Sequence, residues 1–173
     1  MTDSHDFEAV DRFTAGAVGE PGRRIFLFQV RAGTTQVTVK CEKQQVAALT
    51  EYLQGVLADL PAVDDPTPVD LELEAPFEPE WVAGTLSVAY DDVSDLIVIL
   101  IEEVGEPDDD DETDLLGPDR TSLRVRLTRT QVAALVAHTV ALVEAGRPPC
   151  PICGNPRGPD HACPRTNGHG PPR

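Results

Sequence analysis

The chain has 173 residues, of which 40% are hydrophobic and only 5% aromatic, so its interior must be built from Val, Leu, Ile and Ala rather than from stacked rings. Thirty acids against 14 bases give a formal charge of −16, which repels phosphate backbones and anionic lipid and excludes nucleic acid and membrane surfaces as partners of the main body. The charge divides unevenly: after Ala145 four arginines face Asp160 alone, a formal +3, so the residues before that point carry −19.

The first elements in chain order are strands. Phe13–Val18, Arg24–Arg31 and Thr35–Cys41 are strand candidates, with Val37 and Val39 alternating against polar neighbours at period two and Ala32-Gly33-Thr34 suited to a tight hairpin turn. A helix is expected from Glu42 to about Leu60, because Val46, Leu49, Leu53, Val56, Leu57 and Leu60 recur three and four residues apart. Pro61 stops it. Residues 61–80 are rich in Pro and acids and read as a linker, in which Val69–Leu73 alternates enough to add an edge strand.

Beyond the linker come three further strands, Trp81–Tyr90, Leu96–Glu103 and Leu123–Leu127. The middle one is so continuously apolar that both of its faces are expected to be covered. Residues 105–119 form an acidic loop around Asp108–Asp114, which lacks the Gly and spaced ligands of a calcium loop and reads as a solvated connection. Thr128 and Gln131 form a capping-box pattern at the start of a second helix. Val132, Leu135, Val136, Thr139, Leu142 and Val143 carry that helix to Gly146.

The two halves match. Val39–Leu49 and Val125–Leu135 share Gln-Val-Ala-Ala-Leu, and Phe13-Thr14-Ala15-Gly16 resembles Trp81-Val82-Ala83-Gly84, in the same order. The expected body is therefore α+β: duplicated βββα units, 1–60 and 81–145, related by a pseudo-twofold, forming one antiparallel sheet with both helices on one face.

From residue 146 onward the composition changes and no core is possible. Cys150-x-x-Cys153-Gly154 has the shape of a zinc knuckle, and His161-x-Cys163 supplies two further ligands across a Pro/Gly loop. A closed Cys₃His site holding Zn²⁺ would be structural, supplying the cohesion that a segment with almost no apolar residues lacks. A redox dithiol is the weaker reading, since a reactive Cys-x-x-Cys opens a helix and Pro149, Pro151 and Gly154 oppose one. His169 could compete with His161 as the fourth ligand.

Other reactive side chains have duller explanations. Cys41 occupies the position of Leu127 in the other half and reads as a buried apolar site rather than a nucleophile. His138 stands beside the apolar stripe without a locatable catalytic partner. Arg23, Arg24 and Arg31 near the Gly19–Gly22 turn suggest phosphate, but the turn carries no Walker Lys and opens no helix. Phe13 and Trp81 read as paired core anchors rather than a base-stacking platform.

Phe13–Arg23, Glu42–Leu49, Cys150–Gly154 and His161–Arg165 together resemble, over nearly the whole chain, an actinobacterial family, domain of unknown function 3090, in its ParJ-like form. The resemblance implies a cytoplasmic, non-catalytic interaction role, with a ParA-type partitioning ATPase as the protein partner. The absence of a basic-apolar leader pattern and of any apolar run near the ~18 residues of a membrane span agrees with that expectation. Two other readings compete: an enzyme or small-molecule binder with a groove between the repeats, and a nucleic-acid adaptor using the basic tail through Arg157 and Arg165.

Overall fold

A computed structural model describes residues 4–20, 22–64, 69–105, 120–145, 150–154 and 163–164. Three strands, β1 His5–Phe7, β2 Arg12–Val18 and β3 Ile25–Ala32, are followed by β4 Thr35–Cys41 and helix α1 Lys43–Ala58. The second half is β5 Trp81–Asp91, β6 Leu96–Glu103, β7 Ser122–Thr128 and helix α2 Arg129–Glu144. The six expected strands and both helices are present, within one or two residues of the boundaries read from periodicity. The chain is mixed α+β, and three strands followed by a helix occur twice in succession.

The seven strands among the described residues form one sheet in the order β1-β7-β6-β5-β4-β3-β2. It is not the antiparallel sheet expected. Within β2-β3-β4 and within β5-β6-β7 every neighbour is antiparallel, but β4 pairs with β5 in parallel, as does β1 with β7. The cause is α1, which lies between β4 and β5 in the chain and acts as a crossover, returning the chain to run the same way. Strand β1, not Val69–Leu73, is the added edge strand; residues 69–73 adopt no strand.

The sheet must curl. Six inter-strand spacings put its edges roughly 29 Å apart if flat, yet β1 and β2 at opposite ends are joined by residues 8–11, whose reach from Phe7 to Arg12 is at most about 18 Å. Helix α2 accordingly packs against β7 and β6 at one end and against β2 at the other. Phe13, Phe28, Val39, Trp81, Ile99 and Val125 from the enclosed face join Val46, Leu49 and Leu53 of α1 and Val132 and Leu135 of α2 in one apolar cluster. Both helices thus lie on the same face, and a buried Thr50 hydroxyl donates to that of Thr139 between them at 2.8 Å.

The outer face differs between the halves. On β6, Ile97, Ile99 and Ile101 are fully buried, while Leu96, Val98 and Leu100 on the outer side are only half-buried, so the expected burial of both faces holds for one. On β2–β4 the outer side carries Arg12, Thr14, Gln29 and Thr38, all buried. Residues 69–80 of the connecting segment cover them. Gln29 holds the backbone of Glu74 by accepting from its N–H at 2.9 Å and donating to its carbonyl at 2.8 Å. Thr14 donates to the Leu71 carbonyl, and Arg12 and Arg31 grip the Glu74 carboxylate at 3.1 and 3.0 Å. Gly16 lets the segment lie flush, since a Cβ there would sit 2.5 Å from Leu73 Cγ.

Candidate metal centre

The segment following α2 reaches Cys150 within a few residues, and the turn at 151–153 closes with Gly154 N–H donating to the Cys150 carbonyl at 2.8 Å. Gly154 takes φ +75, a left-handed backbone that a side chain would oppose, which is the physical use of the glycine after Cys-x-x-Cys. The turn brings two thiols together, and Cys163 joins them from thirteen residues on. The ligand atoms of Cys150, Cys153 and Cys163 all lie within 4.8 Å of one another. Cys150 and Cys163 are 5% and 7% exposed.

The donor set fits a metal ion. Sulfurs bound at about 2.3 Å to a tetrahedral ion stand roughly 3.8 Å apart, and Cys150 Sγ lies 4.0 Å from Cys163 Sγ. Among the described residues no disulfide joins the four cysteines. The three cysteines among the four expected ligands are therefore brought together. His161, like its competitor His169 and the arginines of the tail, lies outside the described residues, as does the acidic run Asp108–Asp114.

The remaining candidate residues are held in structure. Cys41 is 3% exposed and burial, reinforced by Glu42, pushes its thiol up to about 12, so the thiolate of a nucleophile is suppressed. His138 Nε2 lies 2.9 Å from the Ala15 carbonyl and ties α2 to β2. Arg24 donates to the Ala145 carbonyl at the end of α2 and Arg31 pairs with Glu74, so the two arginines act at separate places rather than in one phosphate pocket. Phe13 and Trp81 are buried in the core, with Phe13 stacked on Phe28.

One role was hidden in the shared motif. Gln45 accepts from the Glu42 N–H through Oε1 while its Nε2 donates to the Gly84 carbonyl at 2.8 Å. Gln131 accepts from the Thr128 N–H and donates through Nε2 to the Val10 carbonyl at 3.0 Å. Each glutamine caps its own helix and fastens that helix to backbone of the opposite half. A cavity of about 510 Å³ lies where α2 meets β2, lined by Gly16, Val18, Leu73, Phe77, His138 and Leu142 among others.

The fold and the thiol cluster define a mixed α+β body carrying a short cysteine-based candidate metal site. The chain matches, over residues 5–163, the family described as "Protein of unknown function (DUF3090)", and it belongs to that family. No curated protein and no solved structure matches it. Among the described residues no helix is long and apolar enough to cross a membrane.

Proposed function

We propose that this chain is a non-catalytic, zinc-bearing interaction protein whose acidic body binds a basic protein partner in the cytoplasm. The observation that carries the reading is the convergence of Cys150, Cys153 and Cys163 on one point. His161, two residues before Cys163, is the fourth ligand that completes a Cys₃His site, and zinc is the ion that a closed thiolate-imidazole set selects. Cys150 opens a turn rather than a helix, which favours metal over a reactive dithiol. The metal orders the tail and takes no part in chemistry.

Support for an interaction role comes from the engagement of Cys41, His138, Arg24 and Arg31 in packing and from the charge of −16. The partner that the family resemblance implies is a ParA-type partitioning ATPase. We read the body as a duplication, on the ground that Gln45 and Gln131 perform the same two duties in matched positions.

Elemental analysis of protein purified without chelators is expected to find one zinc per chain. Cys153→Ser and His161→Ala should each lower that stoichiometry and release the tail to proteolysis, leaving the body folded. Stoichiometric absence of zinc from the wild type would overturn the metal reading. Failure to capture any basic protein at low salt would overturn the interaction reading.

A further inference from the structure

Strand β5 runs for eleven residues, but β4 accompanies only its first two, through Val39 beside Trp81 and Lys40 beside Val82. Beyond that point β4 ends and the chain turns into α1, so the same edge of β5 meets a helix. Gln45 takes the next two carbonyls, Ala83 and Gly84. After a bulge between Ala83 and Leu86, β5 pairs among the described residues with β6 alone as far as Asp91. In an antiparallel pair alternate residues direct N–H and C=O away from the partner. Between Leu86 and Asp91 half of the backbone polar groups therefore face the α1 side.

That side is a groove. A cavity of about 510 Å³ is lined by Gln45, Leu49 and Tyr52 of α1 and by Leu86, Ser87 and Val88 of β5. Successive strand side chains point to opposite faces, so three consecutive residues can line one cavity only if it runs along the strand's edge. A second cavity, of about 520 Å³, lies on the other flank of Tyr52 and shares Ala48 and Tyr52 with the first. Tyr52 stands between them 57% exposed, a large aromatic presented to solvent at mid-helix. The described lining residues include the carboxylates of Glu51 and Asp59 and neither Lys nor Arg, and β5 ends at Asp91 next to Asp92.

We infer that this groove docks an extended, basic segment of another protein, added as a strand along Leu86–Asp91, with alternate apolar side chains packed on Tyr52, Leu86 and Val88. Main-chain hydrogen bonds to the open edge supply affinity, and alternate side chains supply selection. Charge chooses the occupant. A chain of −16 repels a second copy of itself and any acidic peptide, whereas Lys and Arg are drawn to Glu51, Asp59 and Asp91. The inference rests on the interaction role proposed above and gives that role a place on the molecule.

The test uses the full chain, isotope-labelled and titrated with a synthetic heptapeptide alternating Lys and Val, and with its Glu/Val counterpart. Saturable binding of the basic peptide is expected, with shifted and exchange-protected amides at Leu86–Tyr90, and binding should weaken as salt rises. Tyr52→Ala, and separately the double variant Glu51→Lys with Asp59→Lys, should weaken binding about tenfold or more, as loss of a central aromatic or a complementary charge pair does. All three positions are exposed, so the variants should keep the wild-type amide pattern elsewhere.

Equal binding of the acidic peptide, no saturable response, or shifts confined to β2 or to Leu96, Val98 and Leu100 would overturn the inference. A dimer that Tyr52→Ala dissolves would overturn it too, assigning the groove to a second copy. Retention of a captured basic protein by Tyr52→Ala would dismiss the groove while the interaction role stands. Absence of any captured protein would dismiss the role itself.

Discussion

The seam where α2 meets β2 and the seam where α1 meets β5 each hold a cavity of about 510 Å³, yet the first is bridged by a side-chain hydrogen bond from its helix and lined by the covering segment, and the second presents an exposed tyrosine. At β2, His138 bonds the Ala15 carbonyl, and Leu73 of the covering segment lies flush on Gly16. At β5, Tyr52 stands where His138 stands in the other helix, points into solvent, and leaves the strand's edge beyond Gly84 uncovered by any described strand. His138 serves cohesion, whereas Tyr52 serves access in the docking proposed above. Substitutions at matched positions should therefore have unequal effects on the two sides.

The largest effect is expected at the matched glycines. A Cβ at Gly84 would lie 2.8 Å from Val104 Cα, backbone that cannot retreat, whereas at Gly16 its nearest neighbours belong to the side chain of Leu73. Gly84→Ala should cost about 3 kcal/mol by denaturant unfolding and Gly16→Ala about 1 kcal/mol. Equal costs would mean that the covering segment is as rigid as a strand.

Next comes the pair Cys41 and Leu127, which end β4 and β7. The folded state raises the Cys41 thiol from its ordinary 9.0 to about 12, so it favours the protonated form. That contribution is whole below pH 9 and declines as pH rises from 9 toward 12, by up to about 1.4 kcal/mol per pH unit. Cys41→Leu, which copies the other half, should flatten the alkaline limb of the stability profile. A profile unchanged by the substitution would show that the thiol titrates alike in the folded and unfolded states.

His138→Ala should cost about 1 kcal/mol, since it removes the bond that ties α2 to the Ala15 carbonyl. Tyr52→Ala should change stability least, by under about 0.5 kcal/mol, as exposed substitutions do. If the tyrosine proves the costlier of the two, the contrast between a bonded His138 and an exposed Tyr52 collapses.

Much of this architecture was legible because local periodicity controls it. The alternation of Val37 and Val39 and the three-and-four spacing of Val46, Leu49 and Leu53 place strand and helix before any contact is known. The Cys150–Gly154 knuckle was legible for a similar reason, since two thiols two residues apart are brought together by a turn that the glycine permits. Long-range relations were not. Strand β1 is three residues long and carries too little pattern to register, and the parallel pairing of β4 with β5 depends on how α1 crosses. The segment 69–80 looks like a linker because its hold on the sheet is polar, through Gln29, Thr14 and Arg12, and hydropathy is blind to hydrogen bonds. The glutamine of the shared motif was visible as a match, but only the three-dimensional arrangement gives it a second partner.

The crossed attachment of the helices governs what can be done with pieces of this chain. A fragment ending near Leu60 would carry a helix whose anchoring carbonyls, Ala83 and Gly84, belong to residues it does not possess. The complementary fragment would have α2 reaching for Val10 and Ala15 in the same way. Neither piece is self-sufficient. Mixed together, the two should reassemble by exchange, and a tandem fusion of one half with itself supplies each helix with a recipient strand.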